Sequence, residues 1–186
     1  MLQEKFLKSC SKVGNNKKIR NATVTKSCGI TFKSKLEKTI YTTLIKQGFS
    51  PLYEPYTFTL WEGFQPVTPF FDKETDKQKL RRLETTGGSP SKILIQKSDR
   101  ILGIRYTPDF YVKYKNLNVY IEAKGLENDV FYIKKKMFIK YLDNLYLEKG
   151  ERSIYFEVYT KKQLLQTIEI VKDYGERCDT PANTAS

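Results

Sequence analysis

The sequence predicts an α/β fold in which a mixed central sheet is flanked by helices. Three observations predict it. Segments with apolar residues at helical spacing alternate along the chain with short runs rich in β-branched and aromatic residues. A tight turn at 115–118 joins two of the predicted strands, which makes them antiparallel neighbours. A predicted helix separates the last two strands and leaves room for a parallel, right-handed crossover between them.

The first element is a basic and polar N-terminal extension, residues 1–30, which we interpret either as a flexible arm that contacts phosphates or as a disordered tail. A helix is predicted from about Thr31 to Gln47, with Gly48 as its C-terminal stop. Glu37 falls within the apolar arc of this helix, where a carboxylate costs free energy unless a cation meets it. The arc consists of Phe32, Leu36, Ile40, Thr43 and Leu44.

The later elements follow from the same periodicities. Residues 62–92 break the pattern with Gly, Pro, Asp and Lys, and we interpret them as an insertion that contains one short helix. A hairpin turn is expected about Ser98 and Asp99. We expect one domain over 31–175 and a polar tail at 176–186. The predicted strands are 52–60, 93–95, 101–112, 118–123 and 153–160, and the predicted helices are 129–147 and 162–174.

The charge of the chain indicates its partners. It has 33 Lys and Arg against 21 Asp and Glu, a formal charge of +12. This balance favours attraction to polyanions, with nucleic acid first and an anionic membrane second, although a merely soluble basic surface is the alternative. The chain has no histidine, which excludes Ser-His-Asp and Cys-His catalysis and His-ligated zinc.

The cysteines and the hydropathy indicate the compartment. Cys10, Cys28 and Cys178 are widely spaced and odd in number, as is typical of reduced cytosolic thiols. No apolar run approaches the roughly 20 residues that a membrane span needs, and the first residues lack the apolar stretch of a signal peptide. We therefore expect a cytoplasmic protein without a membrane association.

Two short strings carry the chemistry: TPDF at 107–110 and EAK at 122–124. On adjacent antiparallel strands, Asp109 and Glu122 approach each other, and Lys124 shares a strand face with Glu122. Two close carboxylates are stable together when a divalent cation lies between them. The alternative is a surface salt bridge between Glu122 and Lys124, which the bare spacing favours. The positions on predicted strands and the inward Glu37 favour a metal site.

These residues resemble the signature of the PD-(D/E)XK nuclease superfamily, which includes restriction enzymes and Holliday-junction resolvases. The likeness covers residues 31–160, where the predicted order matches the αβββαβ core of a restriction-endonuclease-like fold. The chain is also similar to small phage and prophage endonucleases. That closer similarity lies in Ser34-Lys35-Leu36-Glu37, Tyr53-Glu54-Pro55, Tyr106-Thr107-Pro108-Asp109-Phe110, Ile121-Glu122-Ala123-Lys124-Gly125 and Ile133-Lys134-Lys135-Lys136-Met137-Phe138.

The resemblance implies roles. Asp109 and Glu122, with the carbonyl of Ala123, are then ligands of Mg²⁺, for which Mn²⁺ can substitute. Lys124 is then the catalytic lysine, and Glu37 helps to hold metal-bound water or a second ion. It further implies a homodimer that cuts DNA, with Holliday junctions or other branched DNA as the first expectation, in phage-like recombination, replication or packaging within a host cytoplasm.

Three alternatives stay open: a site-specific or nicking endonuclease on duplex DNA, a non-catalytic DNA-binding protein with a nuclease-like fold, and an RNA-processing protein. The residues expected to contact nucleic acid are Lys134, Lys136, Arg81 and Arg82, each with a solvated surface role as its alternative. Glu54 is interpreted as an exposed edge carboxylate. Trp61 and Phe64 are assigned to packing in preference to base stacking.

Overall fold

The computed structural model describes residues 24–27, 29–125 and 129–179; residues 178 and 179 are described by their backbone alone. Most of the predicted N-terminal extension, the end of the predicted tail and the side chains of Cys10, Cys28 and Cys178 lie outside the described residues. The described chain divides into two compact units. The first comprises the residues up to 55, 108–125 and those from 151 onward, and the second comprises 56–107 and 129–150.

The first unit is built on a mixed four-stranded sheet, whose strands in spatial order are β10 (Ser153–Val158), β9 (Leu117–Ala123), β8 (Phe110–Tyr114) and β3 (Leu52–Tyr53). β8 pairs antiparallel with both β3 and β9, whereas β10 runs parallel to β9. This confirms the predicted mixed sheet, the antiparallel neighbours around the 115–118 turn and the parallel pairing of the last two strands.

Helices α1 (Lys35–Lys46) and α4 (Lys161–Asp179) pack against each other and against this sheet. The predicted apolar face of α1 is confirmed: Ile40 and Leu44 lie in the core together with Phe110 and Ile121 of the sheet. The apolar stripe is buried because a helix stabilises itself in water mainly by covering such a face.

The beginning of α1 differs from the prediction. The helix starts at Lys35, not at about Thr31, because the side chain of Ser34 caps it by accepting a hydrogen bond from Glu37 N at 3.1 Å. The residues before it form β2 (Ile30–Phe32), which pairs antiparallel with β1 (Thr25–Ser27). The C-terminal helix also differs, since α4 continues to Asp179 and does not stop at 174.

The second unit contains two antiparallel strand pairs and two helices within its described residues. β4 (Phe58–Trp61) pairs with β7 (Ile104–Tyr106), and α3 (Asp129–Lys149) packs on them through Phe138, whose ring lies 5.1 Å from that of Phe58 and 4.9 Å from that of Tyr106. β5 (Phe70–Lys73) pairs with β6 (Leu94–Lys97) across α2 (Asp76–Thr86).

Two strand predictions and one hairpin prediction are wrong. The predicted strand 52–60 is interrupted after Tyr53, because Glu54 adopts a positive φ of 46° and is followed by Pro55, which cannot donate a backbone hydrogen bond. The predicted strand 101–112 is likewise divided into β7 and β8, which belong to different sheets. The hairpin about Ser98 and Asp99 does not form, since β6 pairs with β5 instead.

Candidate active site

The register of β8 and β9 determines where the two central carboxylates lie. Phe110 is the Cα partner of Ile121, so Asp109 and Glu122 face each other one step further along the antiparallel pair. Asp109 is anchored by its side chain and by its main chain. Its Oδ2 accepts a hydrogen bond from Ala123 N at 2.7 Å, and its carbonyl oxygen accepts one from Glu54 N at 2.8 Å. The aspartate is therefore fixed against both neighbouring strands.

Lys124 lies beside Glu122, as the predicted shared strand face requires. Its Nζ donates to Glu122 Oε1 at 2.9 Å, and the Glu122 side chain is almost fully buried. Lys124 N also donates to the carbonyl of Val158 at 2.9 Å, which extends the parallel pairing of β9 and β10 to this position. The lysine amine is thus held at the end of the sheet by both its backbone and its carboxylate neighbour.

Glu37 is buried, as its place in the apolar arc of α1 predicts. One of its oxygens, Oε2, accepts hydrogen bonds from the Tyr53 hydroxyl at 2.6 Å and from Lys33 N at 2.9 Å. These two donors compensate the cost of burying the carboxylate. The Tyr53 hydroxyl keeps its proton for this bond, because burial and the bond to Glu37 raise the pKa of Tyr53.

Glu54 lies beside Asp109, whereas the exposure typical of glutamate predicts a surface position for it. Its side chain pairs with the ammonium of Lys33, and this hydrogen bond is the main reason that the pKa of Lys33 is raised. Its backbone N–H holds Asp109. The signal that could have located it is the Tyr-Glu-Pro string, because Pro55 lacks the backbone donor that a continuing strand needs.

The carboxylates act on one another electrostatically. Burial and the charge of Glu122 raise the pKa of Asp109 to about 8, against the opposing hydrogen bond from Ala123 N, and Glu37 and Glu54 contribute in the same direction. Neighbouring negative charges disfavour ionisation of a carboxyl group, and a cation placed among them removes that penalty. A cation bound beside Asp109 would therefore lower its pKa and favour its ionised form.

The oxygen donors fit a hard divalent cation. Asp109 and Glu122, with the Ala123 carbonyl, are the kinds of ligand that Mg²⁺ prefers, and Mg²⁺ commonly takes only one or two protein carboxylates beside water and phosphate oxygens. Within the described residues, no group of three or more Asp, Glu, Cys or His side chains is arranged to hold a metal ion. The ligand roles of Asp109, Glu122, Ala123 and Glu37 all stay predictions.

The residues expected to contact nucleic acid all lie in the second unit. Arg81 and Lys136 are exposed and Lys134 is partly buried. Arg82 has a different environment, because its guanidinium binds both oxygens of the buried Glu74, at 3.1 and 2.6 Å, and donates to the carbonyls of Ser89 and Ser91. We therefore assign Arg82 to the internal structure of its unit and leave it out of the proposed DNA contacts.

No family model, curated protein or solved structure matches this chain. Across residues 24–27, 29–125 and 129–179, none of the helices has the length and apolarity that crossing a membrane requires.

Proposed function

We propose that this protein is a metal-dependent endodeoxyribonuclease that hydrolyses phosphodiester bonds. The observation that carries the proposal is the arrangement at the ends of β8 and β9: Asp109 opposite Glu122, with Lys124 Nζ 2.9 Å from a Glu122 oxygen. These two carboxylates and the lysine, with their spacing, resemble the Pro-Asp and Glu-x-Lys motifs of PD-(D/E)XK nucleases. We propose a restriction-endonuclease-like core on the same grounds.

The residues divide the chemistry between them. Asp109, Glu122 and the Ala123 carbonyl would hold Mg²⁺ or Mn²⁺, which would neutralise charge at the scissile phosphate and lower the pKa of a bound water. Lys124 lies where its ammonium can stabilise negative charge that develops on the phosphorus oxygens. Glu37, which accepts hydrogen bonds from the Tyr53 hydroxyl and from Lys33 N, would accept a hydrogen bond from water at the same site. Because the chain has no histidine, we assign acid–base and electrostatic catalysis to these carboxylates and this lysine.

Branched DNA is the proposed substrate, with a Holliday junction as the first choice. The basis is the motif resemblance to phage endonucleases together with the +12 charge of the chain, which favours a polyanion. A homodimer follows from the same resemblance, because a junction is resolved by two symmetric cuts. Arg81, Lys134 and Lys136 are the proposed phosphate contacts outside the catalytic group.

A non-catalytic DNA-binding protein is the second candidate. The contact between Glu122 and Lys124 favours it, because an ion pair that merely closes the end of a strand would show the same geometry. In that case the protein binds DNA in a salt-sensitive manner and cuts none of its forms.

The decisive experiment incubates the purified protein with Mg²⁺ or Mn²⁺ and three matched substrates: a linear duplex, a four-way junction of the same sequence, and the corresponding RNA. We expect cleavage of the junction, little cleavage of the duplex, and binding that weakens steeply with added salt as phosphate contacts release counterions. Equal cutting of junction and duplex would remove the junction preference. Salt-sensitive binding without any cleavage would establish the non-catalytic DNA-binding protein. Cleavage of RNA alone would overturn both candidates in favour of an RNA-processing protein.

A further inference from the structure

The end of β3 connects two carboxylates of the proposed active site that belong to different elements. Tyr53 donates its hydroxyl to Glu37 Oε2 at 2.6 Å, and the next residue, Glu54, donates its backbone N–H to the Asp109 carbonyl at 2.8 Å. Glu37 lies on α1 and Asp109 immediately precedes β8. Two consecutive residues therefore determine how these carboxylates are placed relative to each other.

Lys33 closes the same set of contacts from the other side. Its backbone N–H donates to Glu37 Oε2 at 2.9 Å, while its ammonium pairs with the Glu54 carboxylate. The Lys33 side chain is 68% exposed, and an ion pair that is this accessible to water contributes little to the stability of a fold. Its position between Glu37 and Glu54 thus requires an explanation other than stability.

The backbone of Glu54 supplies a second observation. Its φ of 46° lies in the left-handed region, which costs free energy for a residue with a Cβ, and the following proline disfavours helical conformations at this position. Conformations of this kind persist only where the surroundings determine them, and they cluster at functional sites. Here the conformation aims the N–H of Glu54 at Asp109 and its carboxylate at Lys33.

We propose that Glu54 is a positioning residue that fixes Asp109 and Glu37 in one arrangement for DNA cleavage. It acts through its ion pair with Lys33 and through its backbone bond to Asp109, and it does not touch the metal or the phosphate. This inference rests on the proposed nuclease function. A displacement of the reacting groups by about 1 Å reduces turnover on the order of a hundredfold, so loss of this restraint affects the chemical step more than DNA binding.

The test uses Glu54→Gly and Glu54→Asn, because both residue types tolerate the left-handed conformation. The matched control is Lys115→Gly, which places glycine at the other non-glycine residue with a positive φ (50°) among the described residues of this unit, in the turn between β8 and β9. We expect the Glu54 variants to be as stable as the wild type, to retain the KM for DNA, and to lose about ten- to a hundredfold in kcat. Lys115→Gly should leave both kinetic constants unchanged.

Two further measurements separate positioning from a general defect. Lys33→Glu and Glu54→Lys should each lower kcat, and the double swap should recover part of the loss because it restores the ion pair with reversed charges. The rise in unfolding temperature that Mg²⁺ causes should persist in Glu54→Gly, since its metal ligands are intact. A Glu54→Gly variant with wild-type kcat, or a double swap no better than either single variant, would overturn the inference and leave the nuclease proposal standing. A wild-type protein that neither cleaves DNA nor responds to Mg²⁺ would overturn both.

Discussion

Lys124 Nζ lies 2.9 Å from Glu122 Oε1, in a pair whose side chains are only 16% and 9% exposed. This contact has two explanations: an ion pair that closes the end of β9, or a catalytic lysine beside a metal ligand. The two explanations differ in what a divalent cation does when the lysine is removed. Only a metal ligand gains a replacement partner from Mg²⁺.

We predict that Lys124→Met abolishes cleavage and lowers the free energy of unfolding by roughly 3 kcal/mol in metal-free buffer, because it leaves the charge of Glu122 buried without this partner. Mg²⁺ should restore part of that loss by neutralising the carboxylate. Thermal unfolding with and without Mg²⁺ measures both effects.

The control for this prediction is Arg177→Met, which removes an exposed ion pair with Asp173 on α4. Such a pair contributes little to stability, so this variant should unfold like the wild type and retain the wild-type response to Mg²⁺. A double variant, Lys124→Met with Glu122→Gln, completes the comparison. If Mg²⁺ stabilises Lys124→Met no more than this double variant, Glu122 is a structural ion-pair partner and its assignment as a metal ligand is overturned.

The carboxylates themselves give the most direct prediction. Asp109→Asn and Glu122→Gln should each reduce Mg²⁺-dependent cleavage by roughly 10²–10³-fold or more, because each removes a proposed ligand of the metal that would stabilise the negative charge of the transition state. DNA binding should persist, since neither residue contributes positive charge. Glu157→Gln is the matched control, because Glu157 is the Cα partner of Glu122 on β10 and accepts a hydrogen bond from Tyr159. Cleavage assays and binding titrations on the same preparations are the measurement, and wild-type activity in Asp109→Asn would discard the site.

The features that the sequence predicts correctly are those with local causes. The apolar face of α1 follows from helical spacing, and the burial of Glu37 follows from its place in that arc. The pairing of β8 with β9 follows from a turn too short for any other connection. Asp109 and Glu122 face each other as a direct consequence of that pairing, so the centre of the candidate site was predictable from two strings of residues.

The features that the sequence does not predict depend on distant partners. β5 pairs with β6 across a whole helix, and nothing in either strand indicates that choice over a local hairpin. Glu54 shows the same limitation. Its partner Lys33 lies 21 residues earlier in the chain, and its positive φ, which ends β3, has no signal in the pattern of apolar residues. Glu74 is buried because an arginine eight residues later reaches it.

The adjacent arginines of α2 allow a matched prediction. Arg82→Ala should lower the unfolding temperature, because Glu74 is almost fully buried and its pKa is lowered mainly by the hydrogen bond from Arg82. Arg81→Ala should leave the unfolding temperature unchanged but weaken DNA binding at low salt and reduce its salt dependence, as loss of one phosphate contact does. If Arg82→Ala unfolds like the wild type and binds DNA more weakly than Arg81→Ala, the assignment of these two residues is reversed.

The raised pKa of Asp109 predicts how stability depends on pH. Because this pKa moves from 3.8 to about 8, the folded protein retains a proton that the unfolded chain releases. The contribution of the Asp109 carboxyl group to the free energy of unfolding is fully present below about pH 4 and is lost as the pH rises through 8. Asp109→Asn cannot ionise, and its side-chain oxygen can still accept the bond from Ala123 N. We therefore expect this variant to be more stable than the wild type at pH 8 without metal, by on the order of a few kcal/mol, since one pKa unit corresponds to about 1.4 kcal/mol.

The same pKa connects stability to metal binding. A carboxyl group must ionise before it can hold Mg²⁺, so the apparent affinity of the wild type for Mg²⁺ should increase between about pH 6 and pH 8, with release of a proton on binding. Denaturant unfolding of both proteins over pH 4 to 8, with and without Mg²⁺, is the measurement. In the wild type, Mg²⁺ should remove the fall in stability toward pH 8, whereas Asp109→Asn should show a flatter pH profile and no response to the ion. An equal response of both proteins to Mg²⁺ would mean that the cation binds somewhere other than at Asp109.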